Sequence, residues 1–141
     1  MNYALAAKAY ARVGLETGVS SADPHQLILM LYDGAMLQVK KAQTHLQARD
    51  IAGKGQAASK AIQIIEEGLR ASLDRKVGGV IALQLDSLYE YMCHRLLLAN
   101  MGNDPIGFAE VGQLLSDLRD AWANMGEKQT ATKPQPAIRL V

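Results

Sequence analysis

Apolar and polar positions alternate along most of this chain with the period of an α-helix. In the stretch that begins at Asp23-Pro24, apolar side chains recur at steps of three and four, which places them on one helical face. The aspartate can accept the free N–H groups of a first turn, and proline suits a position that needs no N–H. We predict that this helix ends near Arg49-Asp50. Its apolar stripe consists of Ile28, Leu31, Ala35, Val39, Ala42 and Leu46.

Two further helices follow in the middle of the chain. Gly53 and Gly55 predict a loop, after which a second helix runs to about Leu73. Residues 76–79 contain two glycines and predict the next break. The third helix is predicted to run from about Val80 to Met101, and its last turns are apolar on every side.

A second Asp-Pro pair, Asp104-Pro105, predicts the start of a fourth helix, and Gly126 is placed to stop it. Four helices of about 20–25 residues with short loops are most simply an antiparallel up-down bundle. We therefore predict an all-α fold, with a four-helix bundle over residues 18–126 and a short N-terminal helical arm over residues 1–17. Residues 127–141 are polar and carry prolines, which predicts a disordered tail.

The N-terminal arm is amphipathic but short. Isolated helices below ~12–15 residues are marginal in water, so this one must dock to be stable. Residues 18–22 are typical of a linker and tether the arm to the bundle. Two interpretations stay open: the arm occupies a groove until a better ligand arrives, or it packs there permanently. Its apolar side consists of Tyr3, Ala6, Tyr10 and Val13.

Composition and charge narrow the classes of function. The 141 residues are 49% hydrophobic but only 5% aromatic, which favours helices over a β-sandwich. The net charge is +1 and the basic residues are scattered, so we expect no nucleic-acid binding. The longest apolar run, Leu27–Tyr32, is far short of the ~20 residues that span a bilayer. With no signal peptide and a single cysteine, Cys93, we expect a cytoplasmic protein without membrane insertion.

Side chains that could support catalysis are sparse. Glu90, Cys93 and His94 lie close together in the third helix, but they match a zinc site poorly. An exposed Glu90–His94 pair beside a small apolar cysteine is the favoured interpretation. The sequence has no Glu-x-x-His pattern, glycine-rich phosphate loop or nucleophile elbow. We therefore expect no enzyme, no catalytic residue, and no cofactor or metal.

The chain carries more apolar surface than a four-helix core needs. In the third helix, Leu88, Met92 and Leu96 can fill the core, which leaves Tyr89, Leu97 and Tyr91 for other faces. Tyrosine and methionine around a groove suit the docking of an amphipathic segment from another chain. Two alternatives are that the arm covers this surface permanently, or that a weak homodimer buries it.

Three motifs, taken in order, resemble the flagellar secretion chaperones of the FliS family. Residues 22–35 read Ala-Asp-Pro-His-Gln-Leu-Ile-Leu-Met-Leu-Tyr-Asp-Gly-Ala, and residues 88–92 read Leu-Tyr-Glu-Tyr-Met. The final motif is Arg-x-x-Trp at Arg119 and Trp122, and Ala9-Tyr10 matches in the arm. The resemblance covers roughly residues 3–125. The stretch at 104–107 and the tail follow no pattern of the family.

The resemblance implies an antiparallel helical bundle that binds the disordered C-terminal region of flagellin in the cytoplasm. Capping that region prevents premature polymerisation and keeps the subunit competent for the flagellar export apparatus. In the family, the N-terminal arm can lie over part of the client groove. This function is our prediction, and its alternative is a homo-oligomeric helical bundle of structural or regulatory role without flagellin binding.

The residues predicted to line or shape the client groove come from the arm and from the first and third helices. The alternative is that several of them are core residues, and for Ile28, Leu88 and Met92 the core interpretation is favoured. Arg95 is the candidate for pairing with client carbonyls or a client carboxylate, and its alternative is an intramolecular pair. The predicted partner-binding residues are Tyr10, Ile28, Tyr32, Leu88, Tyr89, Met92, Arg95 and Leu96.

Overall fold

The computed structural model of the protein describes residues 3–13 and 23–130, with side chains for residues 5–13 and 23–125. Every regular element in these ranges is a helix, so the all-α prediction is confirmed. The predicted linker at residues 18–22 and the tail from residue 131 onward lie outside the described residues. The helices are α1 (Tyr3–Arg12), α2 (Pro24–Gln47), α3 (Ile51–Gln63), a π-helix (Ile64–Arg70), α4 (Arg75–Gly102) and α5 (Pro105–Thr130).

Both Asp-Pro pairs start helices as predicted. The Asp23 side chain accepts a hydrogen bond from the backbone N–H of Gln26 at 2.7 Å, and Pro24 occupies the first turn of α2. At the start of α5, Asp104 accepts from the N–H of Ile106 at 3.0 Å. Each carboxylate satisfies a first-turn donor that has no partner within its helix, so each helix begins at a defined residue.

The predicted loop around Gly53 and Gly55 is wrong. Both glycines lie in the first two turns of α3, which begins at Ile51. Asp50 caps this helix by accepting from the N–H of Gly53 at 3.0 Å. A Cβ atom on Gly53 would lie 2.6 Å from Nδ1 of His45 and 2.5 Å from Oδ2 of Asp50. Gly53 therefore marks a close approach of side chains at the corner between α2 and α3.

Two other helix boundaries that were predicted from glycines also differ in the structure. Gly126 does not stop the fourth helix, because α5 continues to Thr130. Glycine permits a helix C-terminus but does not impose one. Residues 127–130 of the predicted tail are therefore helical. The predicted break at 76–79 narrows to Gly79, whose φ of 54° and ψ of −130° interrupt α4 after its first turn.

The second predicted helix widens into a π-helix over Ile64–Arg70, which the sequence analysis does not anticipate. Buried residues here form two adjacent rows, and within each row they follow one another at steps of four. A π-helix has more residues per turn than the 3.6 of an α-helix, so four-residue steps stay on one face. That spacing is the signal that could have revealed it. The buried rows are Ile65, Leu69 and Leu73, and Ile64, Gly68 and Ser72.

Contacts join early residues of one helix to late residues of its neighbour. Between the second helical segment and α4, Lys54 donates to the carbonyl of Asn100 at 2.7 Å, and Arg70 donates to Asp86 at 2.7 Å. The same order holds for α5 against α2 and against α4, which is consistent with the predicted antiparallel up-down bundle. The further pairs are Trp122 with His25, Gly112 with Val39, Trp122 with Leu85, and Glu110 with Arg95.

The predicted apolar stripes form the core of this bundle. Along α5 the apolar residues recur at steps of three and four and are buried from Phe108 to Leu118, while Trp122 and Met125 at the far end of this row are partly exposed. Lys54 is the charged residue among the buried ones, and its ammonium group also donates to the side chain of Asn103. The stripe residues buried in α2 and α5 are Ile28, Leu31, Ala35, Val39, Ala42, Phe108, Val111, Leu115 and Leu118.

Candidate partner-binding surfaces

The arm is a helix docked on the bundle, as its apolar side predicts. α1 contacts α2 and the π-helix, and we call the surface beneath it the arm groove. A Cβ atom on Gly68 would lie 3.4 Å from Val13 and 2.8 Å from Leu31, so this glycine lets the two side chains meet the π-helix backbone closely. Lys60 donates to the carbonyl of Val13 at 2.5 Å and closes the end of the arm. The α1 residues buried there are Ala6, Ala9, Tyr10 and Val13.

Two of the predicted site residues meet inside the bundle. The hydroxyl groups of Tyr32 and Tyr89 lie 2.5 Å apart, and the two residues are 3% and 2% exposed. The expectation that Tyr89 lies on a face away from the core is therefore wrong. Burial raises the pKa of Tyr32 to about 12, against the smaller opposing effect of its hydrogen bond, and burial also raises the pKa of Tyr89.

A small cavity of about 20 Å³ lies beside this tyrosine pair. Its walls come from α2, the π-helix and the turn after it, α4 and α5, so it marks the point at which all the long helices meet. Trp122 closes one side, its indole N–H donating to the carbonyl of His25 at 3.0 Å, with the two rings stacked 5.0 Å apart. The lining residues are Ile28, Tyr32, Leu69, Ser72, Leu73, Leu85, Tyr89, Leu118 and Trp122.

The other apolar site residues also belong to the core. Ile28 is 2% exposed, and Met92 and Leu96 are fully buried. Leu88 is partly buried and packs against the core cluster. The core interpretation that was favoured for Ile28, Leu88 and Met92 therefore describes where the structure places them. Their contact with a client, like that of Tyr10, Tyr32, Tyr89 and Leu96, stays a prediction.

The outward side of α4 carries large apolar side chains near its start and in its last turns, with Tyr91 and the exposed polar residues Ser87, Glu90 and His94 between them. Tyr91 and Leu97, which the sequence analysis assigned to faces away from the core, are 43% and 46% exposed. They belong to a row, here called the outer stripe, that spans about 35 Å at 1.5 Å per residue. Clusters of large exposed apolar side chains commonly mark interaction sites on soluble proteins. The outer stripe consists of Val77, Val80, Leu83, Tyr91, Leu97, Leu98 and Met101.

The outer stripe could have been read further from the sequence. Val77, Val80 and Leu83 follow one another at steps of three, and Leu97 and Met101 are four apart, which is typical of one helical face. Leu83 and Tyr91, however, are eight residues apart. The sequence analysis takes Tyr91 and Leu97 from this row. It leaves Val77, Val80 and Leu83 out, because their end of the helix lies at the predicted glycine break.

Arg95 lies at the edge of the outer stripe and is paired within the molecule. Its guanidinium donates to Glu110 at 2.8 Å and to Asp104 at 3.3 Å, so the intramolecular alternative is confirmed. Tyr91 donates to the same Glu110 at 2.5 Å. The hydrogen bond from Tyr91 and the pairing with Arg95 lower the pKa of Glu110. These contacts hold the Tyr91 ring at the border between α4 and α5.

The cluster around Cys93 has no geometry for a metal or a nucleophile. Glu90 and His94 are exposed on α4, as predicted, and the Cys93 thiol lies 3.8 Å from the carbonyl of Ile62. Burial raises the pKa of Cys93 to about 12, whereas reactive cysteines have a lowered pKa. Across residues 5–13 and 23–125, no three His, Cys, Asp or Glu side chains converge on a point that could hold a metal ion.

An open groove of about 500 Å³ lies at the end of the bundle where α2 ends and α5 begins. It is lined mainly by polar side chains, with no acid–base or nucleophilic pair among them. Within the ranges that the structure describes, each helix is too short or too polar to reach across a bilayer. The groove is lined by Lys40, Gln43, Thr44, Leu46, Gln47, Asn103 and Pro105.

Comparison with known proteins agrees with the resemblance seen in the motifs. The family model for the flagellar protein FliS matches residues 6–129. The flagellar secretion chaperone FliS of Salmonella typhimurium is 50% identical over 121 residues, which cover 86% of this chain and 90% of that protein. The Escherichia coli chaperone of the same name is 44% identical over 115 residues, 82% of this chain and 85% of that protein.

A third relative shows that the match extends along nearly the whole of a family member. The flagellar secretion chaperone FliSB of Pseudomonas aeruginosa is 42% identical over 121 residues, which cover 85% of this chain and 95% of that protein. These relatives are named as chaperones and not as enzymes. The match includes the arm from Ala6 onward and all four long helical segments. The chain belongs to the FliS family of flagellar secretion chaperones.

Proposed function

We propose that this protein is a cytoplasmic export chaperone that binds the disordered C-terminal region of flagellin. By holding that region it prevents premature polymerisation and keeps the subunit competent for the flagellar export apparatus. The observation that carries this proposal is the family match over residues 6–129, together with relatives that are named as flagellar secretion chaperones.

The outer stripe is the surface we assign to the client. An amphipathic segment can lay its apolar side along a helix face that offers anchors at steps of three and four. A disordered client loses about 2–5 kcal/mol or more of its interaction energy when it becomes ordered, so it needs a long apolar contact to bind tightly. The outer stripe offers apolar anchors at both ends of α4 and at Tyr91, and its exposed side chains require no prior unfolding of the bundle.

The arm groove is the second surface in this proposal. α1 fills it with small side chains and Tyr10, and the arm is joined to the bundle through residues 14–22, which lie outside the described residues. A client segment that displaced α1 would gain the same apolar contacts. We therefore propose that Tyr10 belongs to the arm helix that competes with the client. The buried residues of the bundle shape the two surfaces. Those buried residues are Ile28, Tyr32, Tyr89, Met92 and Leu96, with Leu88 and Arg95 at the border of the outer stripe.

Titration calorimetry with a peptide from the C-terminus of flagellin of the same organism tests the proposal. We expect one-to-one binding at micromolar or lower Kd, with a negative heat-capacity change from apolar burial. Leu98→Asp places a charge in the outer stripe and should weaken binding at least tenfold. The matched control is Leu37→Asp, since Leu37 is 53% exposed on α2, away from α4. It should bind like the wild type.

The results separate this proposal from its alternatives. A folded monomer that does not bind the peptide would refute the flagellin assignment and leave the family membership intact. Equal loss in both aspartate variants would remove the outer stripe from the proposal. A dimer that dissociates on dilution and is disrupted by Leu98→Asp, without flagellin affinity, would favour the homo-oligomeric alternative.

A further inference from the structure

The start of α4 exposes a cluster of apolar side chains around its kink. Val77 is 80% exposed, Val80 69% and Leu83 59%, while Ile81 beside them is 48% exposed. We call these four residues the kink patch, which overlaps the end of the outer stripe nearest Gly79. Clusters of large apolar side chains on a soluble protein commonly mark a contact surface. Among the described residues, none covers the kink patch.

The end of α5 lies at the level of this patch. α4 and α5 are antiparallel, and Leu85 of α4 lines the same cavity as Trp122 of α5. α5 continues for eight residues past Trp122 to Thr130, which is about 12 Å of helix rise, and Val80 lies five residues before Leu85 on the regular part of α4, about 8 Å of rise. The chain therefore leaves α5 beside the kink patch, one helix diameter away.

The sequence that follows has the composition of a spacer and an apolar anchor. Residues 131–137 read Ala-Thr-Lys-Pro-Gln-Pro-Ala, and residues 138–141 read Ile-Arg-Leu-Val. Seven extended residues span up to about 23 Å, which exceeds the ~8–10 Å between packed helix axes. Pro134 and Pro136 disfavour a continuation of α5 through the spacer. In an extended segment, Ile138 and Leu140 point to the same side.

We propose that the segment Ile138–Val141 packs on the kink patch of its own chain. The attachment point at Thr130 gives this segment a high effective concentration at the patch, in the millimolar range for short flexible linkers. A modest apolar contact is therefore enough to keep it bound.

A spin label near the end of the chain tests the contact without any client. The label is placed on Arg139→Cys in a Cys93→Ala background, which keeps Ile138, Leu140 and Val141. Methyl NMR spectra then compare the kink patch with methyl groups at the other end of the bundle. We expect severalfold broadening of Val77, Val80, Ile81 and Leu83, and little at Leu98, Met101 and Ile106, which lie about 25 Å or more away along the helices.

Two variants of the labelled chain provide the controls. Ile138→Asp should abolish the local broadening, because the charge opposes packing on apolar side chains. Lys133→Asp introduces the same residue into the spacer and should leave the broadening in place. Dilution should not change the pattern, since the contact is within one chain.

Three results would overturn the proposal. Weak and uniform broadening at both ends, insensitive to Ile138→Asp, would mean that the segment has no docking site. Broadening centred on another surface would place the contact elsewhere. Broadening of unlabelled chains mixed with spin-labelled ones would identify a second copy as the occupant. None of these outcomes depends on flagellin binding, so this test and that of the proposed function fail separately.

Discussion

The arm groove and the outer stripe are both apolar, but the molecule covers only one of them with a described segment of its own. In the arm groove the contacts are made close to the backbone, with Gly68 between Val13 and Leu31 and alanines on the facing side of α1. The outer stripe instead presents large side chains with no described neighbour above them. Small residues allow one defined close fit, whereas large exposed ones can accept several partners of apolar surface.

The largest effect should separate a buried side chain of the arm groove from an exposed one of the outer stripe. Leu31→Ala removes a fully buried side chain and should cost about 2–5 kcal/mol of unfolding free energy. Leu98→Ala should change it by less than about 0.5 kcal/mol, because Leu98 is 46% exposed. Urea denaturation followed by circular dichroism measures both. Similar losses in the two variants would show that the stripe is buried in solution.

The tyrosine pair offers a second contrast within the core. Tyr89→Phe leaves the buried Tyr32 hydroxyl without its partner and should cost about 1–3 kcal/mol. The double variant Tyr32→Phe/Tyr89→Phe removes both hydroxyls and should recover most of that loss. Urea midpoints of the two variants give the comparison. Additive losses in the double variant would show that the hydroxyl contact contributes nothing.

The same pair should make stability fall at high pH. An unfolded tyrosine loses its proton near pH 10, whereas Tyr32 in the folded protein holds it to about 12. Between these values the unfolded state binds fewer protons, so rising pH favours unfolding. The contribution is complete below pH 10 and is lost as the pH rises through the folded pKa. Urea midpoints from about pH 9 to about pH 11 should fall less steeply in the double phenylalanine variant.

A smaller, local effect is expected at the end of the arm. Lys60→Met removes the donor to the Val13 carbonyl and should weaken arm docking by about 0.5–1.5 kcal/mol. Hydrogen exchange of the α1 amides should accelerate by up to about tenfold, while amides in the middle of α2 keep their rates. Lys8→Met, on the exposed side of α1, is the matched control. Equal acceleration in both variants would argue against a specific role for Lys60.

The smallest effect is expected at the border of the outer stripe. Arg95→Gln breaks ion pairs that are open to solvent, so the urea midpoint should change little. The pKa of Glu110 should rise, because one of the two groups that lower it is gone. Carboxyl NMR titration measures that shift, with Arg119→Gln as a control that leaves Glu110 untouched. An unchanged pKa would show that Tyr91 alone sets it.

The fold could be predicted where a single local interaction decides it. Asp23-Pro24 and Asp104-Pro105 determine helix starts through their own side chains, and the apolar stripes predict which face is buried. The loop predicted at Gly53 and the helix end predicted at Gly126 are wrong. A glycine in the sequence is compatible with a turn or with a close contact inside a helix, and only its spatial neighbours distinguish the two. At Gly53 the deciding neighbour is His45, eight residues earlier in the chain.

The candidate site was harder to predict than the fold. Tyr89 and Tyr32 come from different helices, and only the packed bundle brings their hydroxyls together, so sequence spacing alone gave Tyr89 the wrong face. The internal partners of Arg95 include Glu110 from another helix, which sequence spacing does not reveal, and its contact with a client stays a prediction. The two apolar groups of the outer stripe each show helical spacing, but the eight-residue step from Leu83 to Tyr91 hides from the sequence that they lie on one side of α4.

At the kink in α4, the backbone conformation of Gly79 suits a D-amino acid better than an L-amino acid. Gly79 has a φ of 54° and a ψ of −130°, which is the mirror image of an extended conformation that ordinary residues adopt easily. A Cβ atom there would meet no other atom within 4 Å, so size is not the constraint. An L-alanine would be strained for its stereochemistry alone. A D-alanine introduced by semisynthesis would fit, and by restricting the unfolded chain it should stabilise the protein by about 0.4–1 kcal/mol.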